Sequence, residues 1–374
     1  MARAAPTFSL KDRLFNADSL ADLADAHAVI PGFDRDAFHA TALSGVADRT
    51  LVACLDWFAD CLEPYLAADF PTMADQLEAA MPPPLDPSLR DDDFGRFIHA
   101  VPGVLAARPG LEDHPDRALD LLHAATQRFS MEFYIRPFLN RWPEETLARL
   151  RLWARDDNYH VRRLVSEGTR PKLPWARKVD LVPDQTLPLL DMLQADGTRF
   201  VTRSVANHLN DIAKTEPDLV LSRLAAWEAE GSQARKEHEW MRRHALRTLV
   251  KDGHPGAMEM LGYAADLDVA VALEIDAETV ALGDALNFVA TLTSDTGGPV
   301  VVDYRIRFAR PGGRSGEKVF KLKVAHVEPG VPLVLKKAHR LKALATSCEL
   351  HPGAHGLVVQ VNGVDRAAGA FAIF

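Results

Sequence analysis

Two phrases of this chain share an order of residues that can do chemistry. MEFYIRPFLNRW (131–142) and SEGTRPKLPW (166–175) each run Glu, Arg-Pro, Leu and then Trp. They place Glu132 and Glu167 at corresponding points. Glu167 lies four residues after Arg163 on one helical face. An ion pair at that spacing would account for it, at about 0.2–0.5 kcal/mol and less in this Arg-first order. That account leaves Glu132 unexplained. Asp211 lies eight residues past Arg203 and four past Asn207, extending the same face of the next unit. Carboxylates on a basic surface repel a phosphate, so three of them there point to a cation to be met.

The basic residues recur at a fixed interval. Arg163, Arg203 and Arg243 are 40 apart, as are Val161, Val201 and Met241. Guanidinium groups so spaced suit a phosphate backbone; capping or bridging between repeats suits them equally. Proline disfavours helix in the residue before it, so Arg136 and Arg170 are expected at helix ends and each tryptophan on a turn. For Trp142, ahead of Pro143, core packing is the better fit. Trp175 stands in a Lys/Arg-rich segment, where stacking on a base or sugar is favoured narrowly over packing. His351 and His355 flank Pro-Gly, a turn with no third ligand. No hydrolase elbow, phosphate loop, zincin or Rossmann fingerprint occurs, and neither metal nor cofactor is expected.

The elements that carry these residues are helices up to about residue 262. ETLARLRLWAR leads to YHVRRLVSEG, DMLQADG to FVTRSVANHL, and LSRLAAWEA to EWMRRHALRTL. Two helices per period near 40 is the HEAT-like pattern, whose second helices commonly line a concave face. After Gly262 come short β-rich runs such as PVVVDYRIRFA, KVFKLKVAHV and GLVVQVNG, bounded by Gly, Pro and Asp. They suggest an antiparallel sandwich of immunoglobulin size, without the Cys…Trp…Cys mark of antibody domains. The fold expected is multidomain α + β: an α-α superhelix of HEAT-like repeats over 1–262, then an immunoglobulin-like β-sandwich over 263–374.

The net charge of −9 is unevenly spread. Residues 1–127 hold 9 Lys/Arg against 21 Asp/Glu, residues 128–253 hold 22 against 18, and 301–342 alone holds 11 against 3. Local field governs the steering of a polyanion, so the two basic regions matter more than the total. No apolar run is long enough to span a bilayer, and the opening MARAAPTFSLKDRLF lacks the apolar segment of a signal peptide. Three cysteines without metal or redox spacing fit a reducing cytoplasm.

With FSLKDRLF, the block MEFYIRPFLNRWPEETLARLRLWARDDNYHVRRLVSEGTRPKLPWA, SVANHLNDIAK and VVDYRIRFARPGGRSGEKVFKLK in view, the sequence resembles the AlkC-type alkylpurine DNA glycosylases. The likeness spans nearly the whole chain, and 131–176 is its most specific part. It implies a monofunctional, metal-free glycosylase that removes N3-alkylated bases, chiefly 3-methyladenine with 3-methylcytosine as a second candidate, without fully flipping the base. Carried over by residue, it implies Glu132, Glu167 and Asp211 as the active-site acids and Trp175 as the lesion-side aromatic. Arg163, Arg170 and Lys172 would hold phosphates, with Arg203, Asn207 and Arg243 continuing the track. Lys318, Lys321, Lys323, Lys336 and Lys337 would close around the far side of the duplex. Ser347-Cys348 departs from an expected Thr-Arg, removing one basic contact. The partner implied is duplex DNA with alkylated bases, met by a cytoplasmic, nucleoid-associated monomer. Two rival readings are a non-catalytic HEAT-repeat DNA-binding protein and a protein-interaction scaffold.

Overall fold

A computed structural model describes residues 10–89, 91, 93–310, 315–341, 344–345 and 348–374, with backbone only for residues 315, 344, 345, 348 and 349. They form two compact units. One is the chain up to Ile212 with Trp227–Met241; the other is Ala213–Ala226 with Arg242–Phe374. Ser347 and the Cys348 side chain lie outside the described residues.

In the first unit the helical stripes fold as pairs joined by short turns. Pro143–Trp153 leads to Tyr159–Gly168, and Pro183–Leu193 to Arg199–Ile212. Pro143 and Pro183 open their helices at a position where a missing N–H costs nothing. Asn158 caps the next helix, its side-chain Oδ1 accepting from His160 N at 2.9 Å. Val161, Leu164 and Val165 of one second helix, and Val201, Val205 and Leu209 of the next, are buried. Each contributes about 1.5–3 kcal/mol of burial, and this shared core fixes how the polar faces of the two helices align. Arg163 and Arg203 each stand four residues after the start of their helix, whereas Arg243 stands eight after the start of Arg235–Ala245.

One expectation fails here. Arg136 does not terminate a helix but is the second residue of helix Ile135–Arg141. Pro137 then falls in the first turn, where no N–H is required of it, and tertiary bonds to Arg136 override the local preference. Helix Tyr159–Gly168 does end just before Arg170 and Pro171.

The second unit carries the sandwich, and the fold class is the one the sequence predicts: helical repeats followed by an immunoglobulin-like sandwich. Its strands are β1 (Ala270–Ile275), β2 (Thr279–Val280), β3 (Ala285–Thr293), β4 (Gly298–Ala309), β5 (Ser315–Val327), β6 (Leu333–Arg340), β7 (Leu344–Ala345), β8 (Cys348–Glu349), β9 (Gly353–Val361) and β10 (Val364–Ile373). A sheet ordered β1-β3-β6 faces one ordered β2-β10-β9-β4-β5, all antiparallel but for β2–β10. Leu286, Phe288, Ala290 and Leu292 from β3 meet Val302, Tyr304 and Ile306 from β4 in the core. The last described helix ends at Met260 and β1 begins at Ala270.

Candidate active site

The first unit gathers five of the residues singled out in the sequence. Glu132 stands ahead of helix Ile135–Arg141; Arg163 and Glu167 are on Tyr159–Gly168, with Arg170 just beyond it; Asp211 is near the end of Arg199–Ile212. Arg163 donates to Glu132 and, at 2.8 Å, to Ser130 Oγ, and its second terminal nitrogen lies 3.5 Å from Glu167. Arg170 donates to Glu167 at 2.6 Å and to Asp211 through Nε at 3.0 Å and Nη2 at 2.9 Å. Three carboxylates thus share two guanidinium groups. The cations they meet in the free protein are arginines, and the i, i+4 pair is one strand of a longer-range network.

Burial makes this network consequential. The side chains of Glu132, Glu167 and Asp211 are 15, 5 and 3% exposed. Such charges are tolerated only when paired and hydrogen-bonded. Burial alone would raise the Glu167 pKa, but Arg163, Arg170 and the Ser204 hydroxyl hold it below the usual carboxylate range. Ser204 Oγ donates to Glu167 Oε2 at 2.6 Å and lies 3.0 Å from Ser166 Oγ. Sequence reasoning missed Ser204. It holds the place Leu164 holds one repeat earlier, so a hydroxyl in an apolar stripe was the available signal.

Arg136 is the other omission. It is 1% exposed, and its guanidinium donates to three backbone carbonyls: Gly168 and Arg170, each at 3.0 Å, and Arg177. All three belong to the segment that carries Arg170 and Trp175. Burial pushes the Arg136 pKa down to about 10, with the neighbouring Arg170 charge adding to it. Gly168 lets the two elements close, since a Cβ there would come 2.5 Å from Ile135 Cγ2. Asn140 secures the far end, donating to Lys178 O at 2.9 Å and accepting from Asp180 N at 3.1 Å.

Trp175 sits on that segment's turn with φ +61° and is 69% exposed. A bulky side chain in this region costs about 1–3 kcal/mol and persists where surrounding structure imposes it. It flanks a groove of about 350 Å³ with Phe133, Tyr134, Pro137 and Arg177. Trp142 is half-buried instead, donating to Leu111 O at 2.8 Å beneath the Arg141 guanidinium.

The remaining candidates are placed as follows. Lys172 is exposed and Asn207 half-buried. Arg203 shares the Phe200 ring with Arg163, at 5.9 and 4.9 Å, and pairs with Asp91. Arg243 falls in the second unit, where it is exposed and its charge is felt by Tyr263. In the sandwich, Lys318 and Lys337 stand opposite the core residues Ile306 and Phe288, and both charges act on His339. A bulge between Val302 and Asp303 changes the register, setting Lys323 opposite Val302 but Lys321 opposite Asp303. Lys336 stands opposite Val289. The five lysines therefore do not share one strand face. His355 accepts from Ala309 N and reaches the His351 carbonyl, so the two histidines are tied into a turn.

Behind the acids, His208 is buried, with Nδ1 3.1 Å from Ser166 O and Nε2 without a hydrogen-bond partner among the described residues. Burial pushes its pKa down to about 4, as it does for His160 and His99. In unfolded chains these groups take up a proton near pH 6.5. Between about 6.5 and 4 the unfolded state therefore binds more protons, and stability falls with falling pH. Denaturant melts across that range should show this loss, and His208→Asn should reduce its steepness. An unchanged slope in the variant would exclude His208 as a source.

Comparison with known proteins follows the same division. A family model described as "DNA alkylation repair enzyme" matches residues 127–249. A second, "Uncharacterised protein YhaZ, C-terminal Ig-like domain", matches residues 269–374. The uncharacterized protein YhaZ of Bacillus subtilis is 34% identical over 254 residues, covering 67% of this chain and 70% of that one. The Pseudomonas fluorescens alkylpurine DNA glycosylase AlkC, solved bound to DNA containing an abasic site analog, is 32% identical. It superposes with a TM-score of 0.86 over 98% of this chain and 100% of its own.

Proposed function

We propose that this chain, which belongs to the AlkC family of DNA alkylation repair enzymes, is a monofunctional DNA glycosylase. Its substrates in this reading are N3-alkylated bases in duplex DNA, chiefly 3-methyladenine and, as a second candidate, 3-methylcytosine. The observation that carries the reading is the convergence of Glu132, Glu167 and Asp211 on the face that also presents Arg163 and Arg203.

N3 alkylation gives the base a positive charge and makes it a good leaving group, so a strong general acid is not required. As the N-glycosidic bond breaks, the deoxyribose becomes oxocarbenium-like. Preorganised carboxylates in a water-poor site stabilise such a sugar and orient the attacking water at little reorganisation cost. Trp175 offers an exposed ring for stacking beside the lesion. Arg163, Arg170, Lys172, Arg203, Asn207 and Arg243 are assigned to the phosphates, and Lys318, Lys321, Lys323, Lys336 and Lys337 to the far side of the duplex. The division of labour proposed is catalysis and groove binding by 1–262 and clamping by 263–374, in a monomer acting on the chromosome in the cytoplasm.

The test is incubation of methylated duplex DNA with the protein in EDTA. Free 3-methyladenine, an abasic product without a strand nick, and affinity falling steeply with salt are expected. DNA bound with no base released would leave a binding protein, and salt-insensitive binding or none would favour an interaction scaffold. A covalent imine with strand cleavage would contradict the monofunctional mechanism.

A further inference from the structure

The acidic N-terminal third plays no part in the chemistry above, yet one of its carboxylates sits on the site's own face. Asp91, between helix Phe70–Ala79 and the turn Phe97–Ala100, is paired with the Arg203 guanidinium. Three residues on, Phe94 is 51% exposed and meets Phe200 edge-on at 5.4 Å, 5.8 Å from the same guanidinium. Phe200 is the ring on which Arg163 and Arg203 both rest. Asp91 and Phe94 therefore lie against Arg203 and against the ring it shares with Arg163.

A carboxylate and a phosphate make the same demand of a guanidinium: a planar fork of donors toward two anionic oxygens. We propose that Asp91 and Phe94 form a latch that holds Arg203 in the free protein with a carboxylate in the place of a phosphate, and that duplex DNA must displace it to bind. The proposal rests on the reading of Arg203 as a backbone contact. The pair is suited to exchange, because its side chains are 31 and 24% exposed and such pairs are held weakly. The segment is also secured away from the latch. Leu85 N donates to Gln127 O at 2.8 Å, and Arg128 Nε to Pro82 O at 2.8 Å. Release of Asp91 from Arg203 breaks neither of those bonds.

The experiment is a DNA-binding titration of wild type, Asp91→Asn, Arg203→Gln and the double variant at about 0.1 M salt. The latch predicts that Asp91→Asn binds about three- to tenfold tighter. That gain should vanish in the Arg203→Gln background, where no guanidinium remains to be released. Phe94→Ala, which changes no charge, should reproduce part of it. An equal gain with and without Arg203 is the general effect of removing a negative charge near a polyanion, and it overturns the latch. So does Asp91→Asn binding no tighter than wild type. If Arg203→Gln binds as well as wild type, the fault lies instead in assigning Arg203 to the phosphate track, and the latch falls with that assignment.

Discussion

Glu167→Gln should slow 3-methyladenine release by about 10²–10³-fold in single turnover, the range seen when one preorganised electrostatic group is removed, while affinity for duplex DNA holds or rises. The change keeps shape and removes charge. At 5% exposure the carboxylate acts through a medium of low dielectric, where a unit charge has its greatest effect on a developing sugar cation. Binding should not suffer, since a negative charge near phosphates is lost. Nor should the fold collapse. Arg163 keeps Glu132 and Arg170 keeps Asp211, so neither guanidinium is stranded, and Ser204 can still donate to the amide oxygen. Equal release by variant and wild type would move the chemistry to Glu132 or Asp211. A parallel drop in rate and affinity would make the network a structural brace.

The three carboxylates that converge were legible in the sequence because each sits close to a recurring landmark. Glu132 and Glu167 precede the two Arg-Pro steps, and Asp211 follows Arg203 at helical spacing. Their partners were not legible. Arg170 reaches Asp211 across 41 residues, and Arg203 reaches Asp91 across 112. No local pattern encodes such pairs; packing of the second helices creates them. The sandwich shows the same limit. Its apolar runs mark β4, β5 and β9, whereas LVLKKAHR, with its polar half, has no such run and folds as β6. The direction of each lysine depends on pairing register and on one bulge, which composition does not carry. Arg136 was misread for a related reason. The rule for a residue before proline is a local preference, and three carbonyls distant in sequence outweigh it.

That last residue carries the second large effect. Arg136→Met should lower the melting temperature by about 6–12 °C, taking a net loss of about 3 kcal/mol and about 2–4 °C per kcal/mol for a unit of this size. The buried Gly168 carbonyl would lose its donor, at about 1–3 kcal/mol, and the part-buried carbonyls of Arg170 and Arg177 would lose theirs at less each. Part of that is offset because a buried charge facing no carboxylate directly is also removed. Activity should fall further than stability. The carbonyls belong to Gly168, Arg170 and Arg177, so the substitution frees the backbone on both sides of Trp175 and lets Arg170 swing from Glu167 and Asp211. Release measured well below the variant's own melting temperature separates the two effects. Arg136→Lys retains the charge and one of the bonds, and should fall between Met and wild type in both. A Met variant that melts lower yet releases base at the wild-type rate would show that Asn140, bonded at Lys178 and Asp180, holds the segment by itself. Arg136 would then be a brace of the fold alone, with no hand in placing the site.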